Sequence, residues 1–203
     1  MSMRKPSDVS SRSTATDMVS SIRERFLPIA VFVGIIWAVF LLDLLLPLEQ
    51  LGLVPRHITG LIGIATMPFL HGSFGHLLSN TIPLIILLGL MVVSRSRPWS
   101  TMIILTLISG AALWLFGRNA LHIGASGLIY SLMGFLIMVG VLERRLMSAA
   151  VALFVGVTYG TAIVGGILPG TPGVSWEGHL FGLLAGAALA WIRFGPMVGF
   201  RGS

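Results

Sequence analysis

The chain has 203 residues, of which 55% are hydrophobic and only 10% are charged, and its formal net charge is +6. Because soluble domains carry roughly a quarter charged residues, this composition predicts an integral membrane protein with a single helical bundle. The basic residues lie at the ends of apolar segments, so they are interpreted as topology signals and not as a nucleic-acid surface. The absence of cysteine excludes disulfides, thiol catalysis and thiolate metal sites.

The N-terminal part of the chain predicts a tail, a first span and a long connection. Residues 1–22 are polar and rich in Ser and Thr, which is typical of a mobile tail. The apolar run from about Phe26 to Leu48 is long enough to cross a bilayer, and no signal-peptide cleavage site follows it. Residues 49–75 form the longest connection, and their apolar content predicts partial embedding in the membrane interface.

Five further apolar segments complete a predicted six-helix bundle. They run from about His76 to Val93, Ser100 to Phe116, Ser126 to Leu142, Met147 to Leu168 and Gly178 to Ile192. Six spans place both termini on one side, together with eleven of the thirteen Lys and Arg residues, and the positive-inside rule assigns that side to the cytoplasm. We therefore predict an all-α membrane domain over residues 23–195 and a short cytoplasmic tail over residues 196–203.

With this topology, all five histidines fall in the outer half of the protein. They are His57, His71, His76, His122 and His179. Ionisable residues at membrane depth are functional candidates, although tolerated packing is the preferred interpretation for His57 and His122.

Two helices with small-residue faces are expected to bring a serine and a histidine together. In the fourth predicted helix, Ser126 precedes a face that carries Gly127 and Gly134. The sixth predicted helix carries a matching stripe at Gly178, Gly182 and Gly186. Close packing of these faces would place the Ser126 hydroxyl near the imidazole of His179, as an activated nucleophile requires, with Tyr130 stacked on the imidazole. The simpler alternative is a packing face without chemistry.

A third cluster supplies candidate hydrogen-bond donors. His76 and Asn80 are four residues apart, so they share a helical face and could donate to the oxyanion of acyl transfer together with the Ser126 amide. A carboxylate partner is not expected, because Glu143 lies about 25 Å along the helix from Ser126 and Glu177 is expected to face the outer aqueous side. A metal site formed by His71, His76 and His179 is a minor alternative, since no carboxylate accompanies them at the usual spacing.

The glycine-rich segment from Gly165 to Gly178 predicts a cap that must move. It contains five glycines and two prolines and directly precedes His179. Helix five carries Gly156 and Gly160, which favours substrate entry past helix five and this segment. A passive glycine-rich connector is the alternative.

Taken together, the three motifs resemble the rhomboid family of intramembrane serine proteases. The matching pieces are His71-x4-His76-x3-Asn80, Gly124-x-Ser126-Gly127 with Tyr130, and Gly178-His179 with the following Gly182/Gly186 stripe. The resemblance covers about residues 26–193. One departure is that many members carry a Trp-Arg pair in the first long loop, whereas Arg56 has no Trp beside it here.

The resemblance implies a six-helix rhomboid-like bundle that cleaves peptide bonds in or near transmembrane segments of other proteins, without a metal or another cofactor. It implies Ser126 as nucleophile, His179 as general base, and His76 and Asn80 as the lining of the oxyanion site. Supporting roles are implied for Tyr130, Gly124, Gly127 and His71. One alternative is a catalytically silent relative that binds membrane helices. A small transporter is another, but a transporter is expected to carry a charge at mid-membrane, and helices two to six carry none there.

Overall fold

The computed structural model describes residues 7–95 and 97–196, with side chains from Arg23 onward in these ranges. The described chain contains no β-strand and is built from α-helices, which confirms the predicted fold class. The helices are α1 Ser7–Asp43, α2 Gly63–Thr66, α3 Phe74–Ser94, α4 Pro98–Phe116, α5 Ser126–Leu142, α6 Leu146–Ile167 and α7 Trp176–Phe194. The predicted tail over 196–203 lies outside the described residues apart from Pro196.

Four of the described helices are long and apolar enough to cross a membrane. They comprise residues Arg23–Asp43 of α1, together with α3, α4 and α6. Helix α5 has 17 residues, and those along most of its length are buried. A helix that is apolar on all sides is one that other helices surround, so α5 is the centre of the bundle.

Helix α1 differs from the predicted first span at both ends. Within the described residues it extends from Ser7, through most of the predicted mobile tail, and no Pro or Gly interrupts the sequence between Ser7 and Leu27. It ends at Asp43 and not near Leu48. The reason is Pro47, which disfavours helical backbone at the residue before it and lacks the N–H that a helix would need.

The connection between α1 and α3, residues 44–73, is the first outer loop of the predicted topology, and it is compact and contains several short helical turns. It contains α2 and the 3-10 helices Leu48–Leu51, Ile58–Leu61 and Met67–Phe69. Its inner side buries Leu53 and Met67 against Leu113 of α4. On its outer side Ile58 is 85% exposed and Ile62 is 53% exposed, and this apolar surface supports the prediction that the loop contacts the membrane interface.

Arg56 anchors the first outer loop to the end of α4 even though no Trp stands beside it in the sequence. Its guanidinium donates to the carbonyl oxygens of Leu115 at 3.2 Å and Gly117 at 2.7 Å. In return, the indole Nε1 of Trp114 donates to the carbonyl oxygen of His57 at 2.9 Å. The Trp that supports the loop therefore comes from α4.

Helices α5 and α7 approach each other so closely that side chains would not fit at their contact. A Cβ atom at Gly182 would lie 2.3 Å from the carbonyl oxygen of Gly127, and one at Gly186 would lie 2.0 Å from that of Ser131. The close packing predicted from the two small-residue faces is therefore present in the structure. This approach brings the N-terminal ends of α5 and α7 together, where Ser126 and His179 lie.

Candidate active site

A cavity of about 740 Å³ opens among the N-terminal ends of α3, α5 and α7. Its lining includes Ser126, His179, His76, Asn80 and Tyr130. The structure thus brings the predicted nucleophile, base and oxyanion donors, together with the predicted stacking residue, to one cavity. His71 is not among the residues that line it.

Ser126 is the first residue of α5 and is half-buried. No side chain caps this end of α5, so its backbone N–H groups and the positive end of the helix dipole stay available to an anion in the cavity. The turn before Ser126 is held by the N–H of Gly124, which donates to the carbonyl oxygen of Met67 at 3.0 Å. The first outer loop therefore supports the serine directly.

Gly124 has a backbone conformation and surroundings that require glycine. Its φ angle is +112°. A Cβ atom built on it would lie 2.6 Å from Nε2 of His76 and 3.7 Å from Nδ2 of Asn80. The two side-chain nitrogens therefore lie beside the Gly124 backbone, two residues before the serine.

The start of α3 fixes the position of His76. Ser73 caps this helix by accepting a hydrogen bond from the N–H of His76 at 3.1 Å. One helical turn further on, Nδ2 of Asn80 donates to the carbonyl oxygen of His76 at 3.1 Å. The amide of Asn80 carries a second N–H, so it can still donate into the cavity.

His179 lies in the first turn of α7 and is held by three neighbours. Ser175 caps the helix by accepting from the N–H of Gly178 at 3.3 Å. The imidazole stacks on the ring of Tyr130, with centroids 4.2 Å apart and planes 3° from parallel. Its Nδ1 lies 2.9 Å from the carbonyl oxygen of Gly166. Within the described part of the chain, Ser126 and His179 share the cavity without a hydrogen bond between them.

The sequence interpretation missed a polar network between the α4–α5 connection and the start of α7. Nδ1 of His122 lies 2.6 Å from Oγ of Ser175, and its Nε2 lies 3.2 Å from the carbonyl oxygen of Arg118. The Arg118 guanidinium donates to the carbonyl oxygen of Val174 at 2.8 Å and pairs with Glu177 at 3.2 Å. This network fixes the end of the α6–α7 loop, residues 168–175, next to His179.

Two predictions are revised by this network. Glu177 was expected to face the outer aqueous side, but its side chain is only 7% exposed and pairs with Arg118. His122, expected to be a packing residue, is buried and also hydrogen-bonded. Burial lowers the pKa of His122, so the ring is neutral at pH 7. A carbonyl only accepts hydrogen bonds, so Nε2 of His122 carries the proton and Ser175 donates to Nδ1.

His71 is a buried neighbour of His76 outside the cavity. Its ring is 1% exposed, and its centroid lies 4.9 Å from that of His76. Neither ring nitrogen has a hydrogen-bond partner among the residues that the structure describes. Burial, with a smaller contribution from His76, lowers the pKa of His71 to about 4, so the ring is neutral. Across residues 23–95 and 97–196, whose side chains the structure describes, no group of three His, Asp or Glu side chains is placed to share a metal ion.

Comparison with known proteins gives a consistent result. The family model described as "Rhomboid domain" matches residues 57–196. A protein of Mycobacterium tuberculosis and one of Mycobacterium bovis are each 37% identical, over 83% of this chain and 75% of their own length. A protein of Mycobacterium leprae is 33% identical, over 83% of this chain and 71% of its own length. All three are described only as uncharacterized.

Proposed function

This chain belongs to the rhomboid family, and we propose that it is an intramembrane serine endopeptidase. Its substrates would be membrane proteins, cleaved in or near their transmembrane segments through a dyad of Ser126 and His179. The observation that supports this proposal best is the convergence of Ser126, His179, His76 and Asn80 on one cavity. These side chains come from three different helices, and together they supply every role that acyl transfer requires.

The proposed reaction proceeds through an acyl-enzyme. Oγ of Ser126 attacks the carbonyl carbon of the scissile bond while its proton passes to Nε2 of His179. His76, Asn80 and the backbone N–H of Ser126 donate to the oxyanion that forms. The imidazolium then gives its proton to the leaving amine as the C–N bond breaks. A water molecule, deprotonated by His179, releases the acyl group and restores the serine.

The surroundings of the cavity define what a substrate must do. Helical backbone groups are already paired with one another, so a membrane-spanning substrate must unwind locally before its carbonyl can reach Ser126. Small or helix-breaking residues near the scissile bond are therefore expected. In the proposed topology, which follows from the positive-inside rule, both termini lie in the cytoplasm and the cavity opens to the outer side of the cell membrane. Hydrolytic water would enter from that side.

A catalytically silent member that binds membrane helices is the second candidate. One observation favours it, namely that no hydrogen bond joins Ser126 to His179 within the described residues. However, catalytic hydrogen bonds are often long in free enzymes and shorten only when substrate binds. This geometry is therefore also what a free protease can show.

Cleavage of a transmembrane substrate in proteoliposomes tests the proposal. The purified protein should cut a reporter with helix-breaking residues in its span, and Ser126→Ala should abolish the cut without lowering the melting temperature. Ser131→Ala is the matched control, because Ser131 lies in the same helix and donates only to the carbonyl oxygen of Gly127 at 2.8 Å. Equal cleavage by wild type and Ser126→Ala would contradict the dyad, and reporter binding without cleavage would favour the silent alternative.

A further inference from the structure

The last turn of α6 contains two adjacent glycines with very different surroundings. A Cβ atom at Gly166 would lie 1.8 Å from the hydroxyl oxygen of Tyr130 and 3.0 Å from Nδ1 of His179. A Cβ atom at Gly165 would have nothing within 4 Å. A side chain at position 166 would therefore displace the stacked Tyr130–His179 pair, whereas one at position 165 would enter open space.

The same turn of α6 accepts two hydrogen bonds from that stacked pair. The carbonyl oxygen of Gly166 lies 2.9 Å from Nδ1 of His179. The carbonyl oxygen of Ala162 accepts from the hydroxyl of Tyr130 at 2.5 Å. A carbonyl has no proton to donate, so the proton in the first bond belongs to Nδ1 of His179. In the neutral ring, Nε2 is then the nitrogen with the free lone pair.

We propose that Gly166 is a positioning residue for the catalytic base, with its carbonyl oxygen in the role that an acidic side chain has in a three-residue serine-protease site. It fixes the tautomer of His179 and the direction of its ring, and its missing side chain allows α6 to come close enough to do so. The inference rests on the proposed function, because it assigns the orienting partner of that base. A third group that orients the base is a recurring requirement of activated nucleophiles.

One consequence concerns substrate entry. Because Gly166 and Ala162 both hold the Tyr130–His179 pair, moving the outer end of α6 outward would release the base. The outer end of α6 must therefore be in place when the proton moves. Entry past α6 and chemistry are then separate steps.

The test compares Gly166→Ala with Gly165→Ala. A fluorophosphonate probe reports the rate at which Ser126 is modified in detergent-purified protein. We expect Gly166→Ala to slow this rate by about 10²-fold, the loss typical of a displacement of about 1 Å at a reacting group. Gly165→Ala should be modified at the wild-type rate. Adding Tyr130→Phe to Gly166→Ala removes the atom of closest overlap, so the double variant should regain part of the lost rate.

A spectroscopic readout separates positioning from general damage. In protein labelled with ¹⁵N-histidine, the NMR signal of protonated Nδ1 of His179 can be assigned by its loss in His179→Asn. This signal should be present in wild type and in Gly165→Ala. It should be lost or shifted in Gly166→Ala at a neutral pH where that variant is still folded. An unchanged Nδ1 signal or a wild-type labelling rate in Gly166→Ala would overturn the proposal. If wild type is never labelled at Ser126, the proposed function fails, and the ¹⁵N comparison still decides the role of Gly166.

Discussion

Replacing Gly124 by Ala should damage catalysis far more than it damages folding. Gly124 has a φ angle of +112°, and Gly170 in the α6–α7 loop has a similar value of +125°. A residue with a side chain costs on the order of 1–3 kcal/mol in such a conformation, so both Ala variants carry that strain. Only at Gly124 does the new Cβ also meet a catalytic candidate, at 2.6 Å from Nε2 of His76, whereas at Gly170 it meets nothing within 4 Å.

The expected magnitude follows from that contact. In Gly124→Ala the imidazole of His76 must move away from the oxyanion position, and losing one oxyanion donor typically costs about 10²–10³ in rate. Gly170→Ala should cleave a transmembrane reporter at close to the wild-type rate, and both variants should remain folded in thermal melts. Rapid cleavage by a folded Gly124→Ala protein would refute the assignment of His76 to the oxyanion site.

Three further predictions concern the donors, pH and substrate entry. His76→Ala and Asn80→Ala should each slow cleavage by about 10²–10³ without abolishing it, and a collapsed melting temperature in either would instead indicate a structural role. In the folded protein the pKa of His71 is lowered to about 4. Between pH 6.5 and pH 4, the unfolded chain therefore binds a proton at His71 that the folded protein does not bind. The free energy of unfolding should therefore fall by up to about 3 kcal/mol from pH 6.5 towards pH 4. Thermal melts at several pH values should show a smaller fall in His71→Gln. A disulfide engineered between α6 and α3 should block cleavage of a transmembrane reporter until reductant is added, whereas full activity of the locked protein would place entry elsewhere.

Much of the bundle was predictable because a helix that crosses lipid needs a long run of apolar residues. Continuous apolar runs between charged ends predicted α3 to α6 to within a few residues at each end. The approach of α5 to α7 was also predictable, because glycines four residues apart form one continuous face on a helix. Once that face is packed, Ser126, Tyr130 and His179 must lie at the same end of the pair.

The remaining features depend on contacts that linear spacing does not contain. Glu177 and Arg118 are far apart in sequence, and their pairing follows from how the α4–α5 connection folds over the start of α7. Gly165 and Gly166 were predicted both as the last turn of the fifth helix and as the start of a moving cap, and the structure places them in α6. Their different surroundings, open space at Gly165 and the Tyr130–His179 pair at Gly166, could not be predicted from the sequence. The helical backbone of residues 7–22 was not predicted, because polar composition alone does not distinguish a helix from a tail.

The central claim is that Ser126 is a nucleophile activated by His179. Mass spectrometry of the protein after reaction with a fluorophosphonate probe tests it most directly. We predict one adduct, on Ser126 and not on the nearby Ser131, that is lost when His179 is replaced by Ala in a folded protein. Absence of an adduct on Ser126 in wild type, or equal labelling of wild type and His179→Ala, would contradict the claim.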